Sequence, residues 1–193
     1  MIKAVIFDFF GVLANEGTVS FARAHYPDDQ DKRAKTGLLQ DRLNLATITY
    51  DKYVTELAKL GGVDEATTRE YLETHKPNRQ LLDYIRDNLK PHYRIGLISN
   101  AGDNWLDEIL EKQDIALFDD IILSYQIGFI KPQPEIYKLS AKNLAVQPQE
   151  CVFVDDIERY CDGARQVGMS AILYHDFEQM KAELEKLLAT ADN

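Results

Sequence analysis

Four short segments of this 193-residue chain carry side chains that could act together on an anion. The first is Phe7-Asp8-Phe9-Phe10-Gly11, the second Leu97-Ile98-Ser99-Asn100, the third Gly128-Phe129-Ile130-Lys131-Pro132-Gln133-Pro134, and the fourth Val154-Asp155-Asp156. An aspartate at the end of an apolar strand is costly to bury unless something positive stands beside it. Asp8 is therefore expected at a strand mouth, next to a cation. If the segments converge, Asp8, Asp155 and Asp156 face one another and repel in a partly dry site until a cation neutralises them. Hard oxygen ligands of this kind suit Mg²⁺, which takes a carboxylate or two and leaves positions for water and a phosphate oxygen. Lys131 supplies a further positive charge, and Ser99 with neighbouring amides supplies hydrogen bonds to an oxyanion. Asp8 is the natural nucleophile, because carboxylates can form aspartyl-phosphate intermediates.

Each piece alone has a plainer explanation. A strand-end aspartate commonly forms a turn, a loop lysine is commonly solvated, and Asp155-Asp156 could cap the helix that starts near Ile157. Their order along one strand–helix frame makes the combination specific.

That frame is read from short apolar runs. Ile2–Phe10, apolar except for Lys3 and Asp8, reads as a strand buried on both faces, a parallel-sheet signature. Tyr93–Ile98, Asp120–Ser124, Cys151–Val154 and Ser170–Tyr174 repeat the pattern. Between them lie helical stretches: Asn78 as N-cap of a helix to about Lys90, Trp105–Lys112, a helix from Pro134 to about Leu144, and Ile157–Val167 ending at Gly168. Such alternation predicts an α/β fold with a doubly wound, Rossmann-like parallel sheet and a site at the strands' carboxyl ends. Between about Asn15 and Lys76 the alternation stops and only helical patterns remain. Thr49–Leu60 places Tyr53, Val54, Leu57, Ala58 and Leu60 on one side, with Gly61-Gly62 as its stop, and Asp64 looks like the N-cap of a helix to about Thr74. The expected organisation is an α/β core of residues 1–14 and 77–193, with an all-helical cap of residues 15–76 inserted after the first strand.

Composition narrows the partners. The chain has 22 Lys and Arg against 32 Asp and Glu, a formal charge of −10. With the basic residues spread out, neither a nucleic-acid backbone nor an anionic membrane is expected as a partner. Cys151 and Cys161 have no disulfide framework or metal-ligand spacing and are expected to be reduced, buried thiols. No secretory leader and no membrane-length apolar run is read, so the expectation is a cytoplasmic protein.

The segments FDFFGVL, ISN, GFIKPQPEIY and FVDDIERYCDGARQVGM resemble the four motifs of the haloacid-dehalogenase-like hydrolase superfamily, in its helical-cap, phosphatase-like branch. The resemblance covers nearly all of the chain outside the insertion, and the insertion's place matches that superfamily's cap. It implies Asp8 as nucleophile, Ser99 and Lys131 as catalytic phosphate binders with Asn100 beside them at the substrate, and a Mg²⁺ site of Asp8, Asp156, Asp155 in support, and the backbone carbonyl of Phe10. The substrate implied is a small phosphorylated metabolite.

One position departs from the pattern. Family phosphatases carry a second aspartate two residues after the nucleophile, which protonates the leaving oxygen and later activates water; here that residue is Phe10. Its carbonyl can still hold a metal, but the proton carrier is gone, a loss typically worth about 10²–10⁴ in rate. Three readings follow: a slow Mg²⁺-dependent phosphatase; a 2-haloacid dehalogenase, whose relatives carry Tyr at this position and release halide without protonation, with a cap arginine such as Arg42 holding the substrate carboxylate; and a phosphate-binding pseudoenzyme. The adjacent Asp155 and Asp156, and the KPQPEIY segment, favour the first. Glu16 is a candidate surrogate acid that the sequence does not place. Arg23, Arg33, Lys35, Arg42 and Tyr50 are candidate cap contacts, the four histidines receive no role, and oligomeric state has no sequence signal.

Overall fold

A computed structural model describes residues 1–102, 104 and 106–189. In chain order the strands are β1 (Ala4–Phe7), β2 (Arg94–Ser99), β3 (Asp120–Leu123), β4 (Cys151–Asp155) and β5 (Ser170–Leu173). The helices are α1 (Gly17–His25), α2 (Gln30–Asn44), α3 (Tyr50–Gly61), α4 (Glu65–Glu73), α5 (Arg79–Tyr84), α6 (Leu106–Ile109), α7 (Lys112–Ile115), α8 (Ser124–Ile127), α9 (Pro134–Asn143), α10 (Glu158–Gln166) and α11 (Phe177–Ala189).

The strands form one parallel sheet in the order β3-β2-β1-β4-β5. Because strand side chains alternate between faces, β1 feeds two cores. Val5 and Phe7 pack with Leu81, Ile85, Leu97, Val154 and Leu184, while Ala4 and Ile6 pack with Ile98, Ile136, Tyr137 and Phe153. Both faces are thus covered, as a parallel sheet requires. The chain builds outward from β1 through β2 and β3, then crosses to β4 and β5, so the strand order reverses between β1 and β4. In doubly wound sheets the crevice at such a reversal is where ligands bind.

The first strand is shorter than its apolar run suggested: it ends at Phe7, not Phe10. The Asp8 amide still donates to Val154 O at 2.9 Å, but the Phe9 carbonyl then accepts from the amides of Leu13 (2.8 Å) and Ala14 (2.9 Å). The chain doubles back into a tight turn with Gly11 at φ +93°. Phe9 is apolar because that turn packs into the core, not because it extends the strand. The third strand likewise stops at Leu123, since Ser124 opens α8 and its hydroxyl donates to Asn44 O at 2.7 Å. Trp105 lies outside the described residues. The rest of the helix expected over 105–112 is split into α6 and α7, because Glu111 adopts an extended backbone and caps the second turn. The helix after Asn78 continues beyond α5 as a π-turn over Ile85–Leu89.

Between β1 and α5 the described residues form α1 to α4 and no strand. Thr49 caps α3 by accepting from the Lys52 amide at 3.3 Å, Gly62 ends it at φ +70°, and Asp64 caps α4 from the Thr67 amide at 2.7 Å. These helices have their own apolar cluster of Phe21, Tyr26, Leu43, Tyr53, Val54, Leu57 and Leu72. The chain enters and leaves the insertion side by side: Asn15 donates to Thr74 O at 3.0 Å, Ala14 bridges to Pro77, and the Asn78 amide donates to Leu13 O at 2.8 Å. The insertion touches the sheet's carboxyl edge, where Ser124 meets Asn44 and Arg159 lies 3.7 Å from Asp41. Cys151 and Cys161 are buried and unbridged, and no helix among the described residues is long and apolar enough to cross a membrane.

Candidate functional site

Parallel register brings the ends of β1, β2 and β4 level, so Asp8, Ser99 and Asp155 emerge on one rim. Lys131 reaches the same point from the loop before α9. Its backbone is clamped by Asn100: the amide donates to Asn100 Oδ1 at 2.7 Å, and Asn100 Nδ2 donates back to the Lys131 carbonyl at 3.1 Å. The Lys131–Pro132 peptide is cis. Asn100, expected to face a substrate, thus spends both ends of its amide on holding Lys131, and also donates to Tyr160 Oη at 3.3 Å. It lines the cavity described below as well.

Lys131 is 1% exposed, and its ammonium donates to Asp8 Oδ1 at 2.5 Å and to Asp155 Oδ2 at 2.6 Å. The Tyr160 ring lies beneath it, 4.8 Å from the ammonium to the ring centroid. Asp155 is fully buried, and its other oxygen accepts from the Ile157 amide at 2.9 Å, so both of its oxygens are engaged. Asp156 is different. Its Oδ1 is buried without a hydrogen-bond partner, a costly state that calls for an electropositive ligand. Asp8, Asp155 and Asp156 each present an oxygen within 4.8 Å of the others. Ser99, at the end of β2, is 1% exposed.

The charges at this site do not balance. Burial raises Asp8 well above the carboxylate range, the charges of Asp155 and Asp156 add to that, and Lys131 opposes it. Burial likewise raises Asp155 against the pull of Lys131, and burial with Asp155 pushes Asp156 up to about 6. Burial alone would lower Lys131, but Asp155 and Asp8 overcome it and hold the amine above its ordinary range. One ammonium therefore faces three carboxylates, and the arrangement is short of positive charge. A divalent cation fits that deficit, and Asp156 offers the unpartnered oxygen for it.

Above the rim is a cavity of about 460 Å³ between insertion and sheet. Phe10, Asn100 and Gly102 line it, together with Glu16, Thr18, Gln40, Asn44, Tyr50, Tyr53 and His75 from the insertion. Phe10 meets Phe9 edge to face and His75 at a tilt, each at 5.0 Å between ring centroids. Burial followed by the charge of Asp156 pushes Glu16 up to about 7. Of the insertion residues singled out from sequence, Tyr50 lines the cavity; Arg23, Arg33, Lys35 and Arg42 are exposed and do not. Sequence reasoning missed Thr18, Gln40, Asn44 and His75. Thr18 lies on α1, Gln40 and Asn44 on α2 and His75 just after α4, and polar residues so far apart in sequence carry no periodic signal of what they line.

Three comparisons bear on this geometry. Residues 2–168 match the family described as haloacid dehalogenase-like hydrolase. The chain is 36% identical over 122 residues to bifunctional epoxide hydrolase 2 of Rattus norvegicus, a match covering 58% of this chain but only 21% of that protein. It is 27% identical over 208 residues to a D-ribitol-5-phosphate phosphatase of Bacteroides thetaiotaomicron, covering 97% of this chain and 99% of the relative. Its fold is similar to that of a haloacid-dehalogenase family enzyme from the same organism, solved in complex with magnesium and inorganic phosphate. The TM-score is 0.68 at 23% identity, over 93% of this chain and 99% of the other.

Proposed function

The chain belongs to the haloacid dehalogenase-like hydrolases, and on that footing we propose that it is a Mg²⁺-dependent phosphatase of small phosphorylated metabolites, acting through an aspartyl-phosphate at Asp8. The observation that carries this reading is the charge deficit at the rim, where Asp8 and Asp155 share one lysine and the adjacent Asp156 Oδ1 has no partner. The residues suited to hold Mg²⁺ are Asp8, Asp156 and the Phe10 carbonyl, with Asp155 in support through Lys131. Bound there, the ion would neutralise the carboxylates and let an anionic substrate approach them. The relative named for ribitol 5-phosphate and the neighbour solved with magnesium and phosphate agree with this reading.

The chain's own residues then divide the work. The Asp8 carboxylate attacks phosphorus in line with the leaving oxygen. Lys131, fixed by Asn100 and Asp155, and Ser99 hold phosphoryl oxygens as charge shifts onto them. The insertion, as a cap over the rim, shelters the phosphoryl group from bulk water. We take the core as residues 1–14 and 77–193 and the cap as 15–76, with cap residues choosing the substrate. In the dehalogenase reading a cap arginine must grip the substrate carboxylate. Arg42 is exposed, and no Arg or Lys stands among the described residues that line the cavity.

The test is hydrolysis of p-nitrophenyl phosphate and acetyl phosphate with Mg²⁺ and with EDTA, by wild type and Asp8→Asn. Mg²⁺-dependent turnover that disappears in Asp8→Asn is expected. Folded protein without turnover, or metal-independent chloride release from a 2-chloro acid, contradicts the reading.

A further inference from the structure

A phosphatase without a proton carrier two residues after its nucleophile must either work slowly or draw the proton from elsewhere. Phe10 and Glu16 line the same cavity above the rim, Phe10 in the turn after β1 and Glu16 at the entrance to α1. Glu16 has an extended backbone at the N-cap position, yet its side chain makes no capping hydrogen bond. Glu16 instead lines the cavity beside Thr18, with Asp156, Lys131 and Asp155 among its electrostatic neighbours. Thr18 is itself held: its hydroxyl lies 3.0 Å from Tyr53 Oη and 3.2 Å from Gln40 Oε1. Tyr53 Oη donates to Gln40 Oε1 at 2.6 Å, and Gln40 Nε2 donates to Asn44 Oδ1 at 3.2 Å. Tyr53 and Asn44 are buried, so this hydrogen-bonded wall is anchored in the insertion's core. A carboxyl that forgoes a helix cap and lines the cavity beside a fixed polar wall, with the site carboxylates as electrostatic neighbours, is placed for use.

We propose that Glu16 is the general acid and base of this enzyme, taking over from the insertion side the role that Phe10 cannot perform. The inference rests on the phosphatase reading and deepens it. In the first half-reaction an Asp8 oxygen bonds to phosphorus as the bond from phosphorus to the ester oxygen breaks. The departing oxygen takes the Glu16 carboxyl proton and leaves as the alcohol. In the second, the Glu16 carboxylate accepts a proton from water as the water oxygen bonds to phosphorus. The Asp8–phosphorus bond then breaks, releasing inorganic phosphate and restoring both carboxyl groups. Thr18, Tyr53 and Gln40 act as positioning residues.

The test is leaving-group dependence, since a general acid matters most when the departing oxygen is a strong base. Wild type, Glu16→Gln, Asp8→Asn and the double variant Phe10→Asp/Glu16→Gln are assayed with Mg²⁺ on p-nitrophenyl, 4-chlorophenyl and phenyl phosphate. Folding is checked by circular dichroism and thermal melting. For Glu16→Gln, kcat/KM on phenyl phosphate is expected to fall by about 10²–10⁴, and that on p-nitrophenyl phosphate by less than about tenfold. The kcat on p-nitrophenyl phosphate falls with a burst of nitrophenolate, because the phosphorylated Asp8 now waits for water. The double variant recovers turnover of phenyl phosphate. An equal loss on all three esters, no loss on any, or no recovery in a folded double variant overturns the role of Glu16. Absence of Asp8-dependent turnover on every ester instead removes the phosphatase reading, and this inference with it.

Discussion

The carboxylate of Asp156 rests against the α-carbon of Gly11: a Cβ at Gly11 would lie 2.5 Å from Asp156 Cγ. Gly11 also sits at φ +93°, where a side chain is strained. The turn after β1 thus needs glycine twice, once for its backbone and once to leave room for the acid that we propose as a Mg²⁺ ligand.

Gly11→Ala is therefore expected to weaken Mg²⁺ binding by about 10–100-fold, the usual effect of disturbing the support of a ligand. It should cost roughly 1–3 kcal/mol of stability from backbone strain. Isothermal titration with Mg²⁺ and urea unfolding measure the two effects. Unchanged affinity would show that Asp156 does not need its present position.

Lys131→Met leaves Asp8 and Asp155 buried without their shared ammonium. Removing one partner of a buried ion pair typically costs about 3–5 kcal/mol, because the remaining charge is uncompensated. The variant is expected to unfold at correspondingly lower urea and to lose phosphatase activity. A stability close to wild type would mean that water or a cation replaces the ammonium at little cost.

Asp156 ties stability to pH and metal. Its folded pKa of about 6 lies above the ordinary 3.8, so the folded chain binds this proton more tightly than the unfolded one. The resulting stabilisation is full below about pH 4 and is lost as pH rises through about 6. Without metal, Asp156→Asn should match wild type near pH 4 and melt at a higher temperature at pH 8. Mg²⁺ reverses the order for wild type at pH 8: at 100 times its Kd it adds about 2.7 kcal/mol, or roughly 5–10 °C in Tm. The Mg²⁺ shift should shrink at pH 5, where protons compete, and vanish in Asp156→Asn. Scanning calorimetry at three pH values with and without Mg²⁺ measures this, and an undiminished shift in the variant would place the ion elsewhere.

Much of this was legible in the sequence, for identifiable reasons. Strands buried on both faces must be apolar throughout, so β2 and β4 stood out to within about a residue; the half-buried edge strand β5 stood out as well, as did helices marked by Thr49, Asp64, Asn78 and Gly168. Asp8, Asp155 and Asp156 could be picked out together with Lys131 because three strand-end carboxylates and a loop lysine follow one another along a single strand–helix frame, although each alone has a plainer use. The extent of β1 was not legible, since Phe9 is apolar for a turn that packs and not for a strand that extends. The use of Asn100 was hidden as well: an amide at a strand end looks the same whether it serves a substrate or clamps a neighbouring loop. Glu16 could be named but not placed. Its position depends on the entry angle of α1 and on a wall built from Thr18, Gln40 and Tyr53, residues brought together only by tertiary packing.

Acid-quenched peptide mass spectrometry tests directly whether Asp8 becomes phosphorylated during turnover. Enzyme in excess is mixed with p-nitrophenyl phosphate and Mg²⁺, stopped in acid within the burst and digested. The peptide containing Asp8 should carry one added phosphoryl group. The adduct should be lost on treatment with hydroxylamine, absent with EDTA or in Asp8→Asn, and more abundant in Glu16→Gln. Turnover of the ester with an unmodified Asp8 peptide, or with the phosphoryl group on another residue, would contradict the account.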